Sequence, residues 1–85
     1  MYQVLFSNEA QRALLSLPRP LAVRIQEKLT MVASDPYAHH NNVTKLQNRP
    51  GYRLRVGDWR VIYEVRNDEL VILVVKIAPR GEVYR

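Results

Sequence analysis

Residues 52–63 of the chain read YRLRVGDWRVIY, and the rest of the predicted sheet is arranged around this stretch. Apolar and basic residues alternate on both sides of Gly57-Asp58, and a period of two is typical of a strand with one buried and one exposed face. With Gly57-Asp58 as a two-residue loop, the two halves form an antiparallel hairpin. The loop length then sets the cross-strand pairs Val56–Trp59, Arg55–Arg60, Leu54–Val61 and Arg53–Ile62. Three arginines therefore share one face of the hairpin.

The facing arginines are the first candidate for a functional site. Cβ atoms directly opposite each other on an antiparallel pair lie ~4.5–5.5 Å apart, and like charges there are destabilising unless an anion lies between them. Arg55 and Arg60 therefore predict a receptor for phosphate. The alternative is a solvated basic face, because arginines on exposed strands extend into water at little cost.

The composition is that of a small basic globular protein. With 85 residues, 47% of them hydrophobic, the chain is expected to form one domain over residues 1–85. Thirteen Lys and Arg against eight Asp and Glu give a net charge of +5, which favours a polyanion or an acidic protein as partner. The absence of cysteine suits a reducing compartment, and the longest apolar run, residues 70–75, is too short to span a bilayer. We expect a cytoplasmic protein that makes no membrane contact, since the N-terminus also lacks a signal-peptide pattern.

The first half of the chain predicts a strand and two helices. Residues 2–6 read as a short strand, and Ser7 or Asn8 can cap a helix of roughly nine residues. A second helix is predicted from Pro20 to Ser34, where Asp35-Pro36 stops it. Residues 37–47 show no clear period and predict a loop, with a strand entered near Lys45 as the alternative.

The second half predicts one more hairpin connection, which makes the strands a meander. Asn67-Asp68 is expected to form a two-residue turn that places Arg66 opposite Glu69, so that Glu64 lies next to Val71. Both faces of residues 69–77 are apolar, which predicts an interior strand. In this register Leu70, Ile72 and Val74 continue the apolar face of Leu54, Val61 and Tyr63. The apolar stripes of the two helices need this sheet to cover them, which gives the α+β class.

Residue types that often carry catalysis offer little here. The sequence shows no metal-ligand cluster, no cofactor-binding glycine loop and no serine or cysteine nucleophile with a partner. His39-His40 could serve in acid and base roles, but adjacent loop histidines point in different directions and are better explained as solvated. Glu64 is interpreted as an ion-pair or edge residue, and Asp58 as turn chemistry.

A set of basic residues with one tyrosine remains. It comprises Lys45, Arg53, Arg55, Arg60, Arg80 and Tyr84. Such a set can stabilise the extra negative charge of a phosphorane-like transition state. RNA supplies its own nucleophile, the 2′-hydroxyl, so an enzyme that orients this group needs no histidine pair. Tyr84 could stack on a base or contact the phosphate, with ring packing under the tail as the alternative.

Taken together, these motifs resemble the RelE/ParE toxin superfamily, specifically its RelE branch. The resemblance spans essentially the whole chain and is most specific in KLQNRPGYRLRVGDWRVIYEV (residues 45–65) and in the closing RGEVYR (residues 80–85). It implies a βααβββ fold, with an antiparallel-dominated sheet and a two-helix hairpin on one face. It further implies a ribosome-dependent endoribonuclease that cuts messenger RNA in the A site of the 70S ribosome through the 2′-hydroxyl and leaves a 2′,3′-cyclic phosphate. The implied partner is an acidic antitoxin, whose complex with the toxin contacts operator DNA, and no cofactor is implied.

Matched residue by residue, the resemblance assigns roles to the basic set. The family's transition-state arginine corresponds to Arg60, its arginine after the last strand to Arg80, and its C-terminal tyrosine to Tyr84. The family's basic pair on the hairpin corresponds to Arg53 and Arg55, and Lys45 matches a lysine before the turn. We predict catalytic roles for Arg55, Arg60, Arg80 and Tyr84 and binding of RNA or ribosome by Lys45, Arg53 and Arg85. The general base stays open, because arginine is a poor base where some members carry lysine, and Pro79 stands where many have histidine.

Two other classes of function fit the same sequence. A ParE-like inhibitor of DNA gyrase shares the fold but acts by binding a protein. A non-catalytic nucleic-acid-binding module would show salt-sensitive binding without cleavage. The arginine pair and the terminal tyrosine favour the nuclease.

Overall fold

The chain folds into a five-stranded sheet with two helices on one face. The structure is a computed structural model that describes residues 1–81. The elements in chain order are β1 (Gln3–Phe6), α1 (Asn8–Ser16), α2 (Arg19–Ser34), β2 (Val43–Lys45), β3 (Tyr52–Val56), β4 (Trp59–Arg66) and β5 (Val71–Pro79). The spatial order of the strands is β1-β5-β4-β3-β2, with β1 parallel to β5 and every other pair antiparallel. The α+β class is confirmed, and β5 is an interior strand as expected. The three-residue β2 adds a strand to the βααβββ order, in a segment where the sequence has no period.

Local sequence signals set the ends of both helices. The Ser7 Oγ accepts a hydrogen bond of 3.1 Å from the backbone N–H of Ala10, so Ser7 rather than Asn8 is the N-cap of α1. Pro18 separates the two helices, and Pro20 lies in the first turn of α2, where its missing N–H costs nothing. Asp35 is the C-cap of α2. None of the helices in residues 1–81 has the length and apolar character needed to cross a membrane.

The main core lies between the helices and the sheet. Ile25, Leu29 and Val32 of α2 pack with strand residues that include Leu54, Val61 and Tyr63, all of them at most 1% exposed. A smaller apolar cluster, Leu46, Ile62 and Ala78, lies apart from the main core. Because this second cluster is small, most of the sheet face opposite the helices is left for polar and charged side chains.

The β3–β4 hairpin has the predicted register. Arg55 pairs with Arg60 and Val56 with Trp59 across the loop Gly57-Asp58. Gly57 has φ +59°, the left-handed conformation that a two-residue hairpin loop requires and that glycine adopts without a steric penalty.

A β-bulge interrupts the pairing of β4 with β5. Ile62 pairs with Lys76 but Tyr63 pairs with Val74, so Val75 is an extra residue in β5. Before the bulge Val74 faces the helices, and after it Ile77 does so. The one-residue shift turns Lys76 and Ala78 to the sheet face away from the helices. Arg80 lies on that face too, because side chains alternate along the strand.

The turn between β4 and β5 differs from the prediction. Arg66 pairs with Val71 rather than Glu69, so the connection has four residues, 67–70, and Glu64 lies opposite Leu73 rather than Val71. The predicted and observed registers differ by two residues, and a shift of two leaves every side chain on the same face. Ile72 and Val74 therefore face the core as predicted. Leu70 does not, because it belongs to the turn, with φ +54° and 55% exposure.

Candidate functional site

An open cavity of about 550 Å³ lies on the sheet face opposite the helices. The residues that line it are Asn42, Thr44, Arg53, Arg55, Arg60, Arg80 and Gly81. The β3–β4 hairpin supplies three of the arginines, and Arg80 joins them from the end of β5 because the bulge at Val75 turns it to this face. We call this space the arginine cavity, and residues 1–81 contribute four guanidinium groups and no carboxylate to its lining.

Arg55 is held from both its backbone and its side chain by one residue. Its backbone N–H donates to the carbonyl oxygen of Asn42 at 2.9 Å, and its Nη2 donates to Asn42 Oδ1, also at 2.9 Å. Asn42 immediately precedes β2 and has φ +67°, a conformation that asparagine tolerates better than most residues. The guanidinium of Arg55 therefore has a defined position before any ligand binds.

Arg60 is anchored by backbone carbonyls. Its Nη1 donates to the carbonyl oxygens of Trp59 at 3.0 Å and Gly57 at 3.3 Å. Burial is the first cause of a lowered pKa of Arg60, and neighbouring positive charges lower this pKa further. These charges belong to Arg53, Arg55 and Arg80, while Asp58 acts in the opposite direction. Because an arginine stays protonated in proteins, the positive charges of these neighbours favour an anion bound among them.

Arg80 is fixed through its backbone. Its N–H donates to the carbonyl oxygen of Asp58 at 2.8 Å, which ties the chain beyond β5 to the hairpin loop. Gly81 follows with φ +92° and lines the same cavity. The fourth arginine thus reaches the site through two features that a hairpin alone does not provide, the bulge and this contact.

Lys45 lies apart from the arginine cavity. It pairs with Tyr52, whose ring centroid is 5.3 Å from the Lys45 Nζ. Lys45 instead lines a neighbouring cavity of about 350 Å³ together with Arg49 and Arg53. Tyr84 and Arg85, also predicted to act in the site, lie outside the described residues.

Glu64 and His40, which the sequence does not predict to act in the site, have partners elsewhere. Glu64 Oε1 accepts from Arg66 Nη2 at 2.7 Å, in the ion pair that was expected of it. His40 is half-buried, and its Nε2 lies 2.7 Å from the carbonyl oxygen of Asp35, so it is not simply solvated. Neither histidine lines the arginine cavity. Within residues 1–81 no three His, Cys, Asp or Glu side chains are placed to hold a metal ion.

Sequence reasoning missed the residues that the loop before β3 contributes. Asn42 and Thr44 line the cavity because β2 pairs with β3 and places Thr44 opposite Arg53. The neighbouring Asn41 and Asn42 carry a turn signal, but nothing in them indicates a contact with an arginine thirteen positions away. Four guanidinium groups around one open space can bind a phosphate and can stabilise additional negative charge on it.

Comparison with known proteins relates nearly the whole chain to bacterial and archaeal toxins. Residues 4–84 match the model of the family described as "ParE toxin of type II toxin-antitoxin system, parDE". A putative RelE-like toxin protein of Escherichia coli is 25% identical over 85 residues, which cover 98% of this chain and 90% of the relative.

Solved structures show the same fold. The archaeal RelE–RelB complex from Pyrococcus horikoshii contains a chain that is 34% identical, with a TM-score of 0.79 and coverage of 95% of this chain and 97% of that chain. The intact E. coli RelBE toxin-antitoxin complex contains a chain with a TM-score of 0.82 at 21% identity, covering 96% of this chain and 100% of that chain. The second likeness concerns the fold alone, whereas the first extends to sequence.

Proposed function

The chain belongs to the ParE toxin family of type II toxin-antitoxin systems, as a RelE-like toxin, and we propose that it is a ribosome-dependent endoribonuclease that cleaves messenger RNA in the A site. The observation that carries this proposal is the arginine cavity, where four guanidinium groups surround one open space. A phosphodiester in this space gains negative charge as it reaches a five-coordinate transition state. Fixed positive groups stabilise that state more than the ground state, which is the condition for catalysis.

The reaction uses the RNA itself as nucleophile. The 2′-oxygen attacks the adjacent phosphorus, the bond to the 5′-oxygen of the next nucleotide breaks, and a 2′,3′-cyclic phosphate forms. The 2′-hydroxyl loses a proton, and the departing 5′-oxygen gains one. Arg60 and Arg55, which the backbone and Asn42 hold in place, stabilise the non-bridging oxygens together with Arg80. Arg53 and Lys45 contact RNA or ribosome farther from the scissile bond, and we retain Tyr84 as catalytic and Arg85 as binding on the family resemblance.

Partners follow from the same assignment. The P. horikoshii and E. coli RelE chains were solved in complex with RelB. We therefore propose that a cognate acidic antitoxin binds and silences this toxin, and that operator DNA is contacted only through the antitoxin. The basic net charge of +5 suits both the acidic antitoxin and the RNA, which compete for the chain. The site of action is the cytoplasmic ribosome with its bound message.

Growth on overexpression tests the catalytic assignment. Arg60→Ala and Arg80→Ala should each restore growth and still bind the antitoxin, because both positions lie outside the main core. Arg12→Ala, which removes an exposed arginine of α1, is the matched control and should stay toxic. Full toxicity of both cavity variants would refute the assignment.

A second candidate, inhibition of DNA gyrase, takes its support from the ParE name of the matching family. The two activities leave different traces in the cell. Cleavage of messages at codon-positioned sites with arrest of translation supports the nuclease. Induction of the DNA-damage response with intact messages supports the gyrase inhibitor.

A further inference from the structure

A second basic cavity, of about 370 Å³, lies beyond the tip of the β3–β4 hairpin. The residues that line it are Arg24, Lys28, Asn42, Arg55, Val56, Gly57, Asp58, Arg60 and Arg80. Four of them, Asn42, Arg55, Arg60 and Arg80, also line the arginine cavity. The two spaces therefore share a wall of three arginines, and a ligand that fills one borders directly on the other.

Helix α2 contributes the positive charges that are new to this cavity. Arg24 and Lys28 are four residues apart, so they lie one above the other on the same face of the helix. Like charges at this spacing destabilise a helix. Neither side chain forms an ion pair within residues 1–81. An anionic ligand would offset this repulsion.

We infer that Arg24 and Lys28 form a second phosphate subsite, which binds an RNA backbone phosphate near the one held in the arginine cavity. The inference rests on the proposed function, because a strand whose scissile phosphate lies in the arginine cavity carries another phosphate at each neighbouring nucleotide. Lys and Arg that neutralise such phosphates supply affinity without reading sequence. The carboxylate in the lining belongs to Asp58 on the hairpin loop, so the phosphate is expected nearer to α2 than to that loop.

The phosphate can come from the message or from ribosomal RNA, and the shared chemistry is the RNA backbone. The test compares Arg24→Gln/Lys28→Gln with Arg12→Gln/Arg19→Gln. Both double variants lose two positive charges, so their long-range fields change equally, but Arg12 and Arg19 line neither cavity. Each is measured against a single-stranded RNA that cannot be cleaved because it carries 2′-O-methyl groups, and against ribosomes programmed with that RNA.

The salt dependence of binding reports how many phosphates each variant neutralises. For single strands, log K falls with log salt by about 0.7 for each phosphate contacted. We expect the Arg24→Gln/Lys28→Gln slope to be smaller by at least about 0.7 than the slope of the Arg12→Gln/Arg19→Gln control. Lys28→Arg, which keeps the charge, should retain the slope of the unsubstituted chain, and this separates loss of the subsite from a general effect on the helix.

The two arms separate the two sources of phosphate. A reduced slope with the isolated RNA assigns the subsite to the message, and a reduced slope with ribosomes alone assigns it to ribosomal RNA. Equal slopes for the two double variants in both arms, or no binding by the unsubstituted chain in either arm, would overturn the inference. A chain that binds both ligands but never cuts a normal ribosome-bound message would refute the nuclease proposal, while the slopes still decide the subsite.

Discussion

Asn42 is the residue that gives Arg55 its position. Asparagine fits this place for two reasons, since its side chain accepts from the Arg55 guanidinium and its backbone tolerates a φ of +67°. The hairpin alternation predicts where Arg55 points, because a two-residue loop fixes its partner across the ladder. It does not predict what holds the guanidinium, because that contact depends on how the aperiodic loop folds back.

Substitution of Asn42 should affect catalysis more than stability. Asn42→Gly removes one side-chain hydrogen bond, worth about 1 kcal/mol, adopts the φ of +67° without strain, and leaves Arg55 free to adopt other rotamers. We expect the single-turnover cleavage rate on ribosome-bound message to fall about five- to tenfold. Asn41→Gly, at the exposed neighbouring position, is the control. An equal loss in both variants would show that the loop as a whole matters, rather than the contact with Arg55.

Tyr63 places its hydroxyl in the core. The side chain is fully buried and stacks on Tyr52 with ring centroids 5.4 Å apart, yet its oxygen forms no hydrogen bond within residues 1–81. Burial raises the pKa of Tyr63 to about 12. The folded state therefore keeps its proton at a pH where the unfolded chain, with a tyrosine pKa of about 10, has lost it.

Alkaline unfolding tests this difference. Since the folded pKa is the raised one, the contribution to stability is full below about pH 10 and is lost as the pH rises to about 12, by roughly 2–3 kcal/mol. Tyr63→Phe should lack this loss and should be as stable as the unsubstituted chain, or about 1 kcal/mol more stable, at neutral pH. Denaturant titrations at several pH values measure both effects. Parallel decreases in stability for the two proteins above pH 10 would contradict the assignment.

At the scale of elements, the bulge in β5 decides what the site contains. If Val75 were paired as a regular strand residue, two-residue alternation would turn Lys76 toward the helices and Arg80 out of the arginine cavity. The run Val71–Val75 is apolar at every position, so its pattern cannot show where one residue is left over. This is why the sequence predicts an interior strand here but not the bulge. The sequence pattern does not predict the length of the β4–β5 turn either, because two registers that differ by two residues bury the same side chains.

Deletion of Val75 tests the role of the bulge. Removing the extra residue leaves Tyr63–Val74 and Ile62–Lys76 as adjacent pairs of a regular ladder, so Lys76 and Arg80 keep their face and the variant should retain cleavage. Val75→Ala keeps the bulge and should also retain cleavage. Thermal unfolding and single-turnover cleavage measure the pair. A deletion variant that folds but no longer cleaves would mean that the bulge does more than set which face Arg80 lies on.

Gly51 lies just before β3 and lets the backbone there pass close to β4. A Cβ at this position would lie 2.7 Å from the carbonyl oxygen of Tyr63, and φ is +109°. Gly51→Ala should therefore destabilise the protein by more than about 2 kcal/mol, through both the clash and the backbone strain. Gly57→Ala is the control, with φ +59° but open space around its Cβ, and should cost only about 1 kcal/mol. Denaturant unfolding of the two variants compares these costs directly.

At the scale of the whole molecule, the fold gathers positive charge at one end of the sheet. Three adjoining cavities share arginines of the hairpin, and basic residues of α2, β2 and the chain after β5 complete them. The amino-acid sequence predicts the excess of charge and its centre on the hairpin. It could not predict that Arg24 and Lys28 of α2 join this surface, because their place depends on how the helix packs across the sheet. The molecule thus presents a continuous basic surface that suits an RNA strand.

If this surface cleaves RNA, the ends of a ribosome-bound message carry the mark of the reaction. The message is incubated on ribosomes with the unsubstituted chain, with Arg60→Ala or with Arg12→Ala, and the 3′ ends are mapped and analysed for cyclic phosphate. We predict cuts at the A-site codon that end in 2′,3′-cyclic phosphate for the unsubstituted chain and Arg12→Ala, and a rate at least ~100-fold lower for Arg60→Ala. Intact messages with the unsubstituted chain, or equal cleavage by Arg60→Ala, would contradict the account.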